Sequence, residues 1–185
     1  MAQYAYFDST AAAPSPVKGW YDTEAFKYPN LPAAANLLAL TPSQWAARTV
    51  GCWAVSNGAL VAYVVPPTAS QLQRYANAKA VSMLAAVRTY TAAGANLKCD
   101  ATQGTFAYLM GQAQWGAANP AASQNWIADD NTSTPITGAQ FVANAPLVGA
   151  YIQQIYSVNL HDVLAHIAAG TITTTAQIDT YQWTS

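Results

Sequence analysis

The chain has 185 residues, 52% of them hydrophobic and only 8% charged, with a net charge of -1; an average soluble domain is about 25% charged. That length suits one domain or two small ones with ample core. The near-zero charge excludes a polyanion held by bulk attraction.

The first third is aromatic and proline-rich. Gln3 to Phe7 and Gly19 to Thr23 are predicted strands, rich in Tyr and Trp. Thr41-Pro42 predicts a helix start, with a hydroxyl cap and proline at the first helical position, followed by Trp45 and Arg48. Asn57-Gly58 supplies the two positive-φ residues of a type I′ hairpin. That register sets Val55 opposite Leu60, Trp53 opposite Ala62, and Cys52 facing Tyr63. Seven of the ten prolines fall in the first 67 residues. Pro66-Pro67 ends any ladder, which predicts a module boundary there, with modules 1–67 and 68–185.

The second module reads as mostly helical. Thr68 with Gln71 forms a capping box. Leu72, Tyr75, Ala76, Met83, Leu84 and Val87 follow helical spacing, with Gly94 as the stop. Leu97 to Asp100 is predicted extended. A helix over about Thr102 to Trp115 has Phe106, Leu109 and Met110 on its core face. Trp126-Ile127 is a predicted short strand, with Asp129-Asp130-Asn131 as its turn. Thr137 with Gln140 caps a long helical stretch that Pro146 should kink or restart and Gly170 should end. Thr174 with Gln177 repeats the capping spacing. The expected fold class is α+β: a small β-rich N-terminal module, then a mostly helical module with one short β element.

Charge is unevenly placed. All seven bases (Lys18, Lys27, Arg48, Arg74, Lys79, Arg88, Lys98) lie at or before Lys98, giving +4 over 1–98 and -5 over 99–185. A segment with no Lys or Arg cannot neutralise a nucleic-acid backbone, so no nucleic-acid partner is expected. Alanine is roughly a fifth of the chain, so the surface is built from Ala, Ser, Thr, Asn and Gln. Such a surface suits either a neutral soluble domain or one covered by a partner or a second copy. Cys52 and Cys99 form no CxxC pair, and MAQYAYFD lacks the regions of a signal peptide. Both are expected to be free, partly buried thiols. No run of about 18 apolar residues occurs, so no membrane insertion is expected.

Catalytic chemistry is thinly represented. His161 and His166 are five apart, whereas zinc helices use a spacing of four. Asp162 and His166 share a helix face as an ordinary pair. The adjacent acids at Asp129 and Asp130 lack the alternating ligands of a calcium loop. There is no nucleophile-elbow, phosphate-loop or dinucleotide motif, and Glu24 is the only Glu. No enzyme activity, metal or cofactor is expected. The aromatics remain: Tyr4, Tyr6, Trp20, Tyr21, Tyr28, Trp45, Trp53 and Tyr63 crowd a small module. Some must fill its core. Tyr and Trp are also the residues of interfaces and sugar-stacking surfaces. The partner-binding candidates are Trp20, Tyr21, Trp53 and Tyr63.

The order YAYFD, GWYDT, YPNLP, LTPSQWAAR, SNGALVAYVVPP resembles the N-terminal region of bacteriophage tail-fibre assembly proteins, which are chaperone-like. The stretches LKCDATQGTFAYLMGQA, NWIADDNTSTPITGAQF and TTTAQID resemble a companion domain common beside phage tail-fibre genes. The resemblance covers nearly the whole chain. It implies a non-enzymatic contact protein that binds, caps or helps fold the distal end of a tail fibre. The implied partner is the fibre protein, and the chain itself as a homo-oligomer; the alternative partner is a host cell-surface glycan. The implied location is the host cytoplasm during assembly and the virion tail. The chain departs from the family in its alanine content and uncharged second module, which favours a packed, permanent partner.

Overall fold

The structure, a computed structural model, describes residues 2–128 and 131–183. Asp129 and Asp130, part of the predicted turn, lie outside them. The fold is α+β, and the chain divides into two compact units between Pro66 and Pro67.

The first unit holds two small antiparallel sheets. In one, β1 (Gln3–Tyr6) lies between β3 (Gly19–Asp22) and β4 (Leu37–Ala39). Ala5 sits opposite both Trp20 and Leu38 and is fully buried. In the other, β5 (Trp53–Ser56) lies between β2 (Ser15–Pro16) and β6 (Ala59–Ala62). The hairpin register is the one the Asn57-Gly58 turn dictates: Val55 opposite Leu60 and Trp53 opposite Ala62. Asn57 has φ 51° and Gly58 φ 74°, as a type I′ turn requires. Thr41 caps α1 (Pro42–Ala47) in a full capping box with Gln44.

The fully buried side chains described in this unit are small: Ala5, Ser15, Ala54 and Val55. The tyrosine and tryptophan rings are half-buried instead, several packed edge to face. Tyr21 meets Tyr6 at 6.2 Å and Tyr28 at 4.9 Å.

Two carboxylates fasten this unit. Asp8 accepts from the Thr10 hydroxyl at 2.6 Å and from Lys18 Nζ at 3.1 Å. These contacts, Thr10 first, hold its pKa down to about 2. Asp22 is lowered too, chiefly because Gln3 Nε2 donates to it at 2.9 Å. A folded pKa below the unfolded value of about 3.9 contributes stability that is full above that value and is lost as pH falls through the folded one. The first unit is therefore expected to lose melting temperature between about pH 4 and pH 2. Asp8→Asn should lower the melting temperature at pH 7 and flatten that acid limb, read by near-UV circular dichroism.

The second unit packs helices around two hairpins. α2 (Ala69–Ala85) buries Leu72, Ala76, Ala80 and Leu84, a strict every-fourth-residue stripe, behind the Thr68–Gln71 box. Tyr75 and Val87, predicted on that face, are exposed instead. The helix does not run to Gly94. It stops at Ala85, and β7 (Arg88–Ala92) pairs with β8 (Ala95–Cys99). Gly94, at φ 73°, is the second turn residue of this hairpin, with Ala93 at φ 50° as the first. Arg88 secures the hairpin: its guanidinium lies 4.3 Å from the Tyr151 ring centroid and donates to the Tyr151 hydroxyl at 3.1 Å.

Thr102 caps α3 (Gln103–Ala118). The predicted short strand is longer, β9 (Ser123–Ile127), and pairs with β10 (Ser133–Thr137). Trp126 is buried and donates to the Lys98 carbonyl at 2.9 Å. α4 (Gly138–Gln153) begins at the Thr137–Gln140 box and passes through Pro146 without a break. Pro146 cannot donate to the Val142 carbonyl. Both residues are exposed, so water can reach that carbonyl. A wider π turn over Gln154–Leu160 leads into α5 (His161–Ala168), which Gly170 ends at φ 72°. α6 (Thr175–Thr180) follows its own Thr174–Gln177 box.

α3 and α4 cross where two glycines touch. A Cβ on Gly116 would sit 2.3 Å from the Gly138 carbonyl oxygen, and one on Gly138 would sit 2.3 Å from the Asn119 carbonyl oxygen. Among the described residues, no helix is long and apolar enough to cross a membrane.

Candidate functional site

Strand alternation separates two of the predicted contact residues, Trp20 and Tyr21. Successive residues of a strand point to opposite faces. Trp20 shares its face with Ala5, while Tyr21 turns to the tyrosine cluster with Tyr6 and Tyr28. The structure brings Trp20, Trp53 and Tyr63 to one open cleft of about 260 Å³, with Arg48, Cys52 and Val65 also lining it. Tyr21 is not among the lining residues. Trp20 and Tyr21 are both half-buried, so neither is a simple core residue nor a fully presented one.

Local sequence explains each placement. Trp53 and Tyr63 are carried by the two arms of the Asn57-Gly58 hairpin, where the Tyr63 N–H donates to the Cys52 carbonyl at 2.9 Å. Trp20 lies in β3, edge-on to Trp45 of α1 at 6.5 Å. Arg48 closes α1. Its guanidinium stacks 4.0 Å from the Trp45 ring centroid and donates to the Trp45 carbonyl at 2.7 Å. The stack fixes the cation at the cleft wall without neutralising it. The Trp53 indole N–H is buried and meets no acceptor among the described residues. The cleft thus offers flat rings and one fixed cation: chemistry for a partner with apolar surface beside carbonyl or carboxylate oxygens.

The hairpin is the element that assembles the cleft. Gly58→Val puts a β-branched residue at a positive φ. It is expected to cost the first unit about 1–3 kcal/mol and to move the Trp53 and Tyr63 ring resonances together in an NMR spectrum.

Compared with family models, curated proteins and solved structures, the chain matches none. The remaining candidates are read from geometry alone. His166 Nε2 lies 3.8 Å from Asp162, and its Nδ1 lies 2.8 Å from the Thr171 hydroxyl. Tyr181 also donates to Asp162. His161 and His166 are both exposed. Among the described residues, no three His, Cys, Asp or Glu side chains group closely enough to hold a metal. Cys52 is exposed and Cys99 buried, where the sequence reading expected both to be partly buried.

Arg48 was missed as a site residue by sequence reasoning, which placed it only as part of α1. The signal was there: it stands three residues after Trp45, one helical turn away, so the two side chains meet.

Proposed function

We propose that the chain is a non-enzymatic protein that binds a bacteriophage tail fibre, as an assembly helper or as a subunit retained at the fibre tip. The contact is the cleft of the first unit. The observation that carries this reading is the convergence of Trp20, Trp53 and Tyr63 with Arg48 on one open cleft. Trp, Tyr and Arg are the side chains that dominate binding energy at protein interfaces. The order of aromatic, proline and Asn-Gly segments resembles that of tail-fibre assembly proteins and supplies the partner.

A second reading, contact with a host cell-surface glycan, is favoured by one feature. Indole and phenol faces stack on sugar rings, and a fixed guanidinium suits an acidic sugar.

Co-expression with the tail fibre of the same phage separates the two. Fibre binding predicts a severalfold higher yield of soluble fibre trimer and co-purification of the chain with it. Equal yields with and without the chain would overturn the assembly role. Binding to an acidic glycan with no affinity for the fibre would replace it with the second reading.

A further inference from the structure

One strand edge in the first unit is left open in a way its neighbours are not. The Tyr63 N–H donates to the Cys52 carbonyl at 2.9 Å, which makes these two residues a hydrogen-bonded pair. Bonded and non-bonded pairs alternate along an antiparallel ladder. In the register of β5 and β6, the next bonded pairs are Ala54 with Val61 and Ser56 with Ala59. Leu60 and Ala62 therefore turn their N–H and C=O groups away from β5, toward the outer edge of the sheet. No backbone bond to a described residue outside the ladder uses them. Val64 follows in the same alternation and is 88% exposed.

Proteins defend such edges with proline, charge or a covering group, or by keeping them very short. The other outer strands of this unit are defended. β2 is only Ser15 and Pro16. In β3 the Asp22 N–H is covered, donating to the Tyr28 hydroxyl at 3.2 Å. β4 has three residues. From Ala59 to Val65 there is no charge and no proline, and Val61, Tyr63, Val64 and Val65 are strong strand formers. An edge of this kind is a template for one more strand.

The order of residues in β6 identifies that strand. Leu60-Val61-Ala62-Tyr63-Val64 sets two large apolar residues on each side of one small one. Laid antiparallel on a second copy about Ala62, Leu60 falls opposite Val64 and Val61 opposite Tyr63. Only two methyl groups meet on the axis, where identical side chains must share the space. In this register all three outward residues, at 60, 62 and 64, oppose one another as bonded pairs. The alternatives lose contacts. An axis at Val61 sets Val64 opposite Gly58 in the turn, and an axis at Tyr63 sets Leu60 opposite Pro66, which has no N–H.

We propose that two copies of the chain pair antiparallel through the outer edge of β6, about a two-fold axis at Ala62, joining their β2-β5-β6 sheets into one. Pairing borders the aromatic cleft without filling it, because Trp53 and Pro16 of the cleft lie on β5 and β2, away from that edge. One short strand from each copy makes a small contact, so the dimer is weak. This inference does not depend on the tail-fibre reading.

In sedimentation equilibrium the full chain should rise with concentration from its 19.5 kDa mass toward twice that. Ala62→Lys changes a side chain exposed in the single copy and sets two ammonium groups face to face on the axis. Near-UV circular dichroism should be unchanged, and the dimer dissociation constant should rise at least about tenfold. Cross-linking tests the register without relying on that variant. In a Cys52→Ser background, the two thiols of Ala62→Cys would stand on Cα atoms about 5.5 Å apart, and a short bifunctional thiol reagent should join them. The thiols of Val65→Cys would lie about 20 Å apart and should stay unjoined. A single-chain mass up to millimolar concentration overturns the proposal. So does an Ala62→Lys dimer as tight as the parent, or cross-linking at Val65→Cys that matches Ala62→Cys.

Discussion

Gly116→Ala is expected to remove at least about 3 kcal/mol from the second unit. The added Cβ would stand 2.3 Å from the Gly138 carbonyl oxygen and 2.8 Å from its Cα. Both are backbone atoms, so no side-chain rotation relieves the clash. α3 and α4 must separate along their whole packed length, which loosens Leu109 and Phe141 from the core. Gly138→Ala should behave alike, since its Cβ would meet the Asn119 carbonyl oxygen at 2.3 Å. Gly104→Ala on the same helix is the control. Nothing lies within 4 Å of its Cβ, so it should be neutral or stabilising by about 0.5 kcal/mol through helix propensity alone. Urea titrations followed by circular dichroism read all three. A Gly116→Ala midpoint equal to the parent's would show that the crossing is not as tight as described.

The second large effect concerns binding. If the cleft binds a fibre as proposed, Trp20→Ala should weaken that binding about thirtyfold or more, the loss of a central aromatic anchor. Arg48→Ala should weaken it about tenfold, because the guanidinium is held ready at the wall by Trp45. Tyr21→Ala is the informative comparison. It changes the next residue of the same strand, but on the opposite face, between Tyr6 and Tyr28. It should lower stability by about 1–2 kcal/mol and leave affinity within twofold. Calorimetric titration of the folded variants against the fibre gives the affinities, and thermal melts give the stabilities. If Tyr21→Ala matches Trp20→Ala in affinity loss, the cleft is not the contact.

The local chemistry of the sequence carried a long way. Thr followed three residues later by Gln marked the starts of α2, α4 and α6, and Thr41-Pro42 marked that of α1; all four starts form capping boxes, the Thr41–Gln44 one unread in the sequence. Asn57-Gly58 specified both a turn and a register. The hairpin at Ala93-Gly94 was not legible in the same way. Alanine rarely takes a positive φ, so Ala-Gly carries no turn signal of the kind Asn-Gly does. The apolar spacing of α2, extended through Val87, also continued plausibly into β7. Pro146 misled for a different reason. Its helix-breaking effect is fixed by covalent structure, but whether the orphaned carbonyl is tolerated depends on which face meets water. That is a property of the packed unit.

The site shows the same division. Residue type singled out Trp20, Trp53 and Tyr63; that these three line one cleft and Tyr21 does not was not readable. Trp20 and Tyr21 are adjacent in sequence and were read as one contact, yet a strand sends neighbours apart. Arg48 was visible only as part of a helix until α1 brought it beside Trp20.

The choice of glutamine in the four capping boxes bears on how the molecule ages. Glutamine deamidates slowly to glutamate, which usually places an unwelcome charge in a folded protein. Here the oxygen of each amide accepts from the threonine N–H, at 2.8 Å for Gln44 and 2.7 Å for Gln71. A carboxylate accepts that bond equally well and sits in the positive field of a helix start. Gln140 and Gln177 would also surrender an amide donation, to the Ala93 and Thr171 carbonyls at 3.4 Å and 3.5 Å. Deamidation at these four positions should therefore make the chain more acidic while its helices stay anchored where they begin.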